Sequence, residues 1–191
     1  MTRRAALALA AGALALFVAG PAAARSESPA APAQDRIRAM VGREARNMGV
    51  PEPLALAVAH AESNFDPHAE SDKGARGVMQ IMPGTSIGEY GIHPDLLWDP
   101  RVNIRLGLHY LARLIERYRG RIDLALSFYN GGSAVGDLPD ARVIPATAGY
   151  VRRVMGLRRT YEARVGVWGE DRLWTSIRQN PYSLMKVRAT N

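Results

Sequence analysis

Apolar side chains recur every three or four residues through most of the chain after residue 35, and the pattern is clearest between Asp99 and Gly120. That segment carries Ile104, Leu108, Leu111, Ile115 and Tyr118. Apolar residues at this spacing line one face of an α-helix. Asp99 followed by Pro100 is a favourable helix start, and Gly120 is a favourable stop. The pattern therefore predicts a long helix that buries one face.

Five further helices follow from the same periodicity. They are a helix capped by Asp35 that ends before Gly49, one from about Pro51 to Asn64, a short one from Thr85 to Tyr90, another from Ile122 to Tyr129, and a last one carrying Tyr150, Val151, Val154, Leu157 and Tyr161. Strand-like alternation does not persist along the sequence. The predicted fold class is all-α, or mainly helical α+β, in a single domain.

The ends of the chain differ in composition from this helical part. Arg3 and Arg4 precede an apolar run and then small residues at positions 22 to 24, which is typical of an export signal cleaved near Ala24. The run is shorter than the roughly 20 residues of a membrane-spanning helix, so no membrane span is expected after processing. Residues 25–34 are predicted to be a flexible tether, residues 35–164 the main domain, and residues 165–191 a C-terminal extension.

Composition narrows the function further. The 191 residues carry a formal net charge of +7 and no cysteine, so neither disulfides nor a lipid-bearing cysteine is expected. An excess of basic residues would attract anionic polymers, but no zinc-finger spacing or aromatic-interleaved basic strand indicates nucleic-acid binding. The four histidines, at positions 60, 68, 93 and 109, lack the spacing of a zinc-binding helix. No metal or cofactor is expected.

The candidate chemistry centres on Glu62. Leu54, Val58 and Glu62 follow one another at intervals of four residues, which places the carboxylate on the apolar stripe of a helix that Asp66-Pro67 should end. Burial and the partial negative charge at a helix end both raise a carboxyl pKa. A glutamate with a raised pKa can act as a general acid near neutral pH. The alternative is a structural glutamate paired with an arginine.

The order of several motifs is more specific than Glu62 alone. The chain contains Glu62-Ser63, then Gly77-Val78-Met79-Gln80-Ile81-Met82-Pro83, then Asn103 four residues before Gly107, then Tyr129-Asn130-Gly131, and then Thr147 followed by Tyr150-Val151. From about residue 33 to residue 164 it resembles the lytic transglycosylases with a lysozyme-like domain, of the soluble transglycosylase type. The resemblance implies a lysozyme-like fold and cleavage of peptidoglycan between N-acetylmuramic acid and N-acetylglucosamine, with a 1,6-anhydro product. Such a protein would work in the periplasm in soluble form.

The resemblance also implies roles for single residues. Glu62 would be the sole catalytic acid and base. Ser71 would hydrogen-bond its carboxylate, and Tyr129 would lie near it. The full set of candidate substrate-binding residues is Ser71, Gln80, Met82, Tyr129, Asn130 and Tyr150. Asp66, four residues after Glu62, is assigned to the loop because the following proline disfavours a helical conformation there.

The sequence leaves open one question about substrate preference and two alternative functions. Ala146 stands where many of these enzymes have a glutamate that holds substrate, so subsite preference is in doubt. The same fold and Glu62 would also suit a hydrolytic muramidase of the goose-lysozyme type. A third hypothesis is a factor that docks on wall glycan within a secretion or conjugation apparatus.

Overall fold

A computed structural model describes residues 32–165, and these residues form six α-helices joined by loops and three short 3-10 helices. The α-helices are α1 (Ala33–Asn47), α2 (Glu52–Ser63), α3 (Pro83–Tyr90), α4 (Pro100–Arg117), α5 (Ile122–Gly131) and α6 (Ala148–Val165). The 3-10 helices are Pro94–Trp98, Gly132–Val135 and Pro145–Thr147. Within this part of the chain the only β-structure is a pair of isolated bridges, Glu70 with Arg76 and Arg76 with Ile81. The prediction of a helical domain is confirmed.

The long central helix, α4, follows the predicted pattern closely. The five residues of its apolar stripe are at most 2% exposed. The side-chain oxygen of Asp99 accepts hydrogen bonds from the backbone N–H groups of Arg101 and Val102, at 2.8 and 3.0 Å. These bonds satisfy amide donors that have no partner within the helix. The predicted start at Asp99-Pro100 is therefore confirmed with its physical cause.

Helix α2 is the element that positions the candidate acid. It packs between α1 and α6, while α4 packs against α5. Leu54 and Val58 are fully buried, so the stripe that the sequence predicted does face the core. Burial of aliphatic side chains of this size contributes roughly 1.5–3 kcal/mol each, which fixes the rotation of α2 and hence the direction in which Glu62 points.

Three predicted boundaries need correction. Helix α1 begins at Ala33 after Pro32, inside the predicted tether, and Asp35 makes no cap hydrogen bond. Asp35 instead pairs with Arg38 one turn later, at 2.6 Å. Helix α3 begins at Pro83 rather than at residue 85, because a proline is well tolerated in the first turn. Helix α5 continues through the predicted break to Gly131.

Some predictions lie outside the described residues. These are the export signal over 1–24, the tether up to residue 31 and the extension beyond residue 165. None of the helices within residues 32–165 is both long and apolar enough to cross a membrane.

Candidate active site

The C-terminal end of α2 places Glu62 at the edge of the core, where its side chain is partly buried. The helix ends at Ser63, and both Asn64 and Phe65 then adopt left-handed backbone conformations, with φ of 51° and 65°. Asparagine tolerates this conformation, which commonly ends helices. The buried ring of Phe65 anchors the turn in the core. The helix therefore ends before Asp66-Pro67, and Glu62 lies in its last turn.

The environment of Glu62 makes it a weak acid. Its side chain is partly buried, and this desolvation raises the carboxyl pKa to about 7, against smaller lowering effects of Tyr150 and Arg153. The C-terminal end of a helix disfavours a negative charge as well. No acidic side chain of the described residues is among the groups that shift this pKa. Glu62 is thus a single carboxyl group that holds its proton near neutral pH.

Tyr150 of α6 contacts the carboxyl group directly. Its hydroxyl donates a hydrogen bond of 2.6 Å to Oε1 of Glu62. Burial and the neighbouring carboxylate raise the pKa of Tyr150 well above its usual value, so the phenol remains a donor. With Oε1 bonded in this way, Oε2 is the carboxyl oxygen that can hold a transferable proton. Tyr150 therefore orients the acid.

The charge of Glu62 also acts on Tyr129 of α5, but the hydroxyl proton of Tyr129 is engaged elsewhere. Its hydroxyl donates to the backbone carbonyl of Met79 at 2.8 Å. Its ring packs against that of Tyr110, with 5.5 Å between the ring centroids. Burial first, and then the negative charge of Glu62, raise the pKa of Tyr129 well above its usual value. The hydroxyl oxygen can accept a hydrogen bond from a ligand, since its proton goes to Met79.

The loop that carries Met79 is held by a buried asparagine. The side chain of Asn103, on α4, accepts from Met79 N–H at 2.7 Å and donates to the carbonyls of Arg76 and Leu97 at 2.7 and 3.1 Å. Gly77 approaches so closely that an added Cβ would lie 2.6 Å from the amide nitrogen of Asn103, and its φ is 71°. This position requires glycine on both counts. Asn103 thereby fixes the carbonyl that Tyr129 binds.

Glu62 and this loop are also joined through the next residue along α2. The hydroxyl of Ser63 donates to the carbonyl of Val78 at 2.8 Å. Met79 packs so closely on α4 that a Cβ on Gly107 would lie 2.4 Å from Met79 Cβ. The Gly77-to-Pro83 motif and the Asn103–Gly107 pair are therefore one structural unit behind the acid.

The remaining predicted loop residues lie as follows. The hydroxyl of Ser71 accepts from Ala75 N–H at 3.0 Å within the loop, and no hydrogen bond joins it to Glu62, whose donor among the described residues is Tyr150. The carboxylate of Asp66 is exposed and accepts from His68 N–H at 2.9 Å, as expected of a loop residue. The role of Ser71 at the carboxylate stays a prediction.

Gln80 and Met82 follow on the same loop. The amide nitrogen of Gln80 donates to the carbonyls of Ala69 and Gly77, both at 3.0 Å, so the side-chain oxygen is the atom left for a ligand. The backbone of Gln80 is left-handed, with φ of 47°. Met82 is 42% exposed at the start of α3. Met82 is therefore not a core residue, and its contact with a sugar stays a prediction.

The end of α5 brings Tyr129 and the start of α6 together. The buried hydroxyls of Ser127 and Thr147 lie 2.6 Å apart, and a Cβ on Gly131 would lie 2.6 Å from the methyl group of Thr147. Asn130, between them in the chain, is exposed. Ala146 is exposed as well, so no carboxylate enters the site from this turn. The contacts explain how α6 starts at the position that delivers Tyr150.

Two residues matter more here than the sequence indicated. The sequence analysis gave Asn103 no role of its own. Its position one residue before Ile104, which belongs to the apolar stripe of α4, could have indicated a buried polar residue that binds backbone groups. Arg153 lies three residues after Tyr150 on α6, and its charge acts on Glu62. Within residues 32–165 no group of three histidine, aspartate or glutamate side chains is arranged to hold a metal ion.

A helical domain that presents a partly buried glutamate of raised pKa at a helix end, with no acidic side chain of residues 32–165 among the groups that shift this pKa, is lysozyme-like in class. Residues 39–137 match the family described as Transglycosylase SLT domain. The match covers more than half of the chain, and the protein belongs to this family.

Individual relatives agree with this placement. The chain is 38% identical over 109 residues to membrane-bound lytic murein transglycosylase C of Edwardsiella ictaluri, covering 49% of this chain and 30% of the relative. It is 30% identical over 139 residues to the soluble lytic murein transglycosylase of Escherichia coli K12, covering 61% and 21%. It therefore spans less than a third of the length of these relatives.

Solved structures of the same kind have a similar fold. An inactive glutamate-to-glutamine mutant of the lytic transglycosylase Slt from Pseudomonas aeruginosa superposes with a TM-score of 0.58 at 31% identity, over 67% of this chain and 24% of that one. The 70 kDa soluble lytic transglycosylase from Escherichia coli gives 0.56 at 27% identity, with the same coverage. A complex of the 70 kDa soluble lytic transglycosylase with bulgecin A gives 0.57 at 27% identity, over 68% and 24%.

Proposed function

We propose that this protein is an exported peptidoglycan lytic transglycosylase in which Glu62 is the acid and the base. The observation that carries the proposal is the isolated carboxyl group of Glu62, with a pKa raised to about 7 and one oxygen held by Tyr150. A general acid is most effective when its pKa lies near the working pH. The relatives named as lytic murein transglycosylases support the choice of substrate.

In the proposed reaction Glu62 first donates a proton to the substrate and then takes one back from it. Oε2 of Glu62 gives its proton to the glycosidic oxygen as the bond from C1 of N-acetylmuramic acid to that oxygen breaks. The carboxylate then takes the proton of the 6-hydroxyl of the same muramic acid as this oxygen bonds to C1. The products are a 1,6-anhydro sugar and a free 4-hydroxyl, and no water is consumed.

A single carboxyl group suffices for this route. Most glycosidases use two carboxylates, and the exceptions include enzymes in which the substrate assists. The acetamido group of the substrate would stabilise the positive charge that develops at C1. Within residues 32–165 the groups that act on Glu62 include no acidic side chain, which fits this scheme. It also fits that a glutamate-to-glutamine mutant of the neighbouring Pseudomonas aeruginosa enzyme is described as inactive.

The other residues would bind and orient the sugar. The oxygen of Tyr129 would accept a hydrogen bond from the acetamido N–H, because its proton is already given to Met79. The side-chain oxygen of Gln80 would accept from a sugar hydroxyl or amide. Met82 would cover an apolar sugar face. Ser71 would hydrogen-bond the carboxylate of Glu62, and Asn130 would fix the turn beside Tyr129.

The proposed site of action is the periplasm. Arg3, Arg4 and the apolar run that follows support export. A secretion or conjugation apparatus that needs an opening in the wall could use the same reaction, and that partner stays a prediction.

The test is mass spectrometry of the soluble fragments that the purified protein releases from peptidoglycan, with Glu62→Gln beside it. The expected products are anhydromuropeptides, each one water lighter than the hydrolysis product, and none from the variant. The variant should still bind insoluble peptidoglycan in a pull-down, because its shape is preserved. Reducing ends instead of anhydro ends would overturn the proposed reaction, and variant activity within tenfold of wild type would overturn the assignment of Glu62.

A further inference from the structure

Helix α6 runs along α2 beyond the acid and turns one face towards it. Tyr150, Arg153, Leu157, Tyr161 and Arg164 follow one another at intervals of three or four residues, so they share that face. Two contacts fix its position against α2. Tyr150 binds Glu62 at 2.6 Å, and the hydroxyl of Tyr161 lies 2.9 Å from Nδ1 of His60. Arg153 is located between these two contacts.

The guanidinium of Arg153 acts on both ends of this interface. Its positive charge lowers the pKa of Glu62 and contributes to the lowered pKa of His60, after the effect of burial. The side chain is exposed. No ion pair or hydrogen bond with another described residue is formed by it. A cation that lies near the acid, in water and without a carboxylate partner, is available to a ligand.

The other charged residues that act on His60 are also basic, so they do not pair with Arg153. Arg38 of α1 and Arg164 of α6 also act on His60 and are positive as well. Arg38 is already engaged with Asp35 and with the ring of Phe65, whose centroid lies 4.9 Å from the guanidinium carbon. Ala146, at the start of the same region, offers no carboxylate. The charged side chains that act on His60, and the one that acts on Glu62, are therefore all arginines.

The proposed substrate carries groups of opposite charge on the sugar that would lie at Glu62. N-acetylmuramic acid bears a lactyl group on C3, to which the peptide stem is attached, and the stem carries free carboxylates. When C1 of this sugar lies at Glu62, the stem leaves the sugar ring only a few bonds away. Arginine binds carboxylates through two parallel hydrogen bonds, and this makes it selective for such groups.

We propose that Arg153 binds a peptide-stem carboxylate and so makes the site prefer strands whose stems carry that charge. This inference rests on the proposed function. It predicts a specificity that depends on one side chain rather than on the net charge of the protein. Attraction of the whole basic surface to an anionic polymer would instead depend about equally on exposed neighbours such as Arg152 and Arg159.

The experiment compares two substrates of nearly the same size and shape that differ in whether their peptide stems are charged. Soluble glycan strands with intact peptide stems are used as they are, or after their carboxylates have been converted to primary amides. The kcat/KM for release of anhydromuropeptides is measured for the full chain and for Arg153→Ala, Arg153→Lys and Arg152→Ala. Arg152 is the matched control, because it is the adjacent exposed arginine on another face of α6.

We expect wild type to prefer the charged strands by about tenfold, the order of a charge-assisted hydrogen bond. Arg153→Ala should bring the ratio of the two rates close to one, Arg153→Lys should keep part of it, and Arg152→Ala should keep all of it. The ratio is insensitive to a change in the pKa of Glu62, which alters both rates alike.

Two results would overturn the inference. Wild type could cleave both strands equally well, or Arg152→Ala could lose the preference as fully as Arg153→Ala does, which would make it an effect of overall charge. Failure of the proposed function is recognisable separately, since no Glu62-dependent anhydro product would then form from either strand.

Discussion

The hydroxyl of Tyr150 lies 2.6 Å from Oε1 of Glu62, although 88 residues separate the two in the chain. The bond joins α6 to α2 at the point where α2 ends. It leaves Oε2 as the oxygen that exchanges a proton with a ligand, and it opposes the rise in the pKa of Glu62 that burial causes. The contact thus sets both the direction and the strength of the acid.

Tyr150→Phe should shift the pH dependence of cleavage. Because the hydrogen bond lowers the pKa of Glu62, its removal should raise that pKa further above 7. The descending limb of kcat/KM against pH should then move to higher pH by about one unit, which corresponds to about 1.4 kcal/mol. Tyr110→Phe is the control, since its ring packs beside Tyr129 without a bond to Glu62. An unmoved limb in Tyr150→Phe would contradict the tuning role.

Tyr129→Phe should lower both activity and stability. The change leaves the carbonyl of Met79 without its donor, at a cost of about 1–3 kcal/mol for a buried polar group. Cleavage should slow by roughly ten- to a hundredfold, towards the lower end of what acid and base assistance contributes. Single-turnover rates and urea unfolding measure the two effects. A normal rate in a destabilised variant would limit this tyrosine to packing.

Glu62→Gln should stabilise the fold, and more so as the pH rises. The folded-state pKa of about 7 lies above the usual 4.5, so the native state binds the proton more tightly than the unfolded state does. Wild type should therefore lose stability as the pH rises from about 4.5 to 7, by up to about 3 kcal/mol. The glutamine variant lacks this loss. Unfolding free energies at pH 4.5 and pH 8 test it, and an equal difference at both would show that Glu62 ionises normally.

Gly107→Ala and Gly88→Ala form a matched pair of glycine substitutions within helices. A Cβ at residue 107 would lie 2.4 Å from Met79 Cβ, whereas one at residue 88 meets nothing within 4 Å. The first should destabilise the protein by about 1–3 kcal/mol through overpacking. The second should stabilise it by about 0.5–1 kcal/mol, because alanine favours a helix. Urea midpoints measure both, and similar values would mean that α4 and the loop can separate at little cost.

Some of these features were readable from the sequence, and others were not. The buried stripe of α4 followed from apolar spacing, and its start followed from Asp99-Pro100, because both depend on neighbours within one or two turns. The start of α1 was predicted wrongly at Asp35, since Ala33 and Gln34 belong to the helix and not to the tether. Such boundaries are decided by a few local contacts that periodicity does not report.

Some features of the site were likewise predictable from the sequence, and others depended on tertiary packing. Spacing along the chain alone determined that Glu62 would lie on the apolar stripe of a helix, close to its end, with a raised pKa. Its hydrogen bond to Tyr150 and the position of Arg153 between Glu62 and His60 were decided by the packing of α6 on α2. The packing of α4 likewise decided that the side chain of Asn103 would hydrogen-bond the loop behind Glu62. Periodicity places a side chain on a face of its own helix, whereas only the tertiary structure determines which residues from distant segments that face will meet.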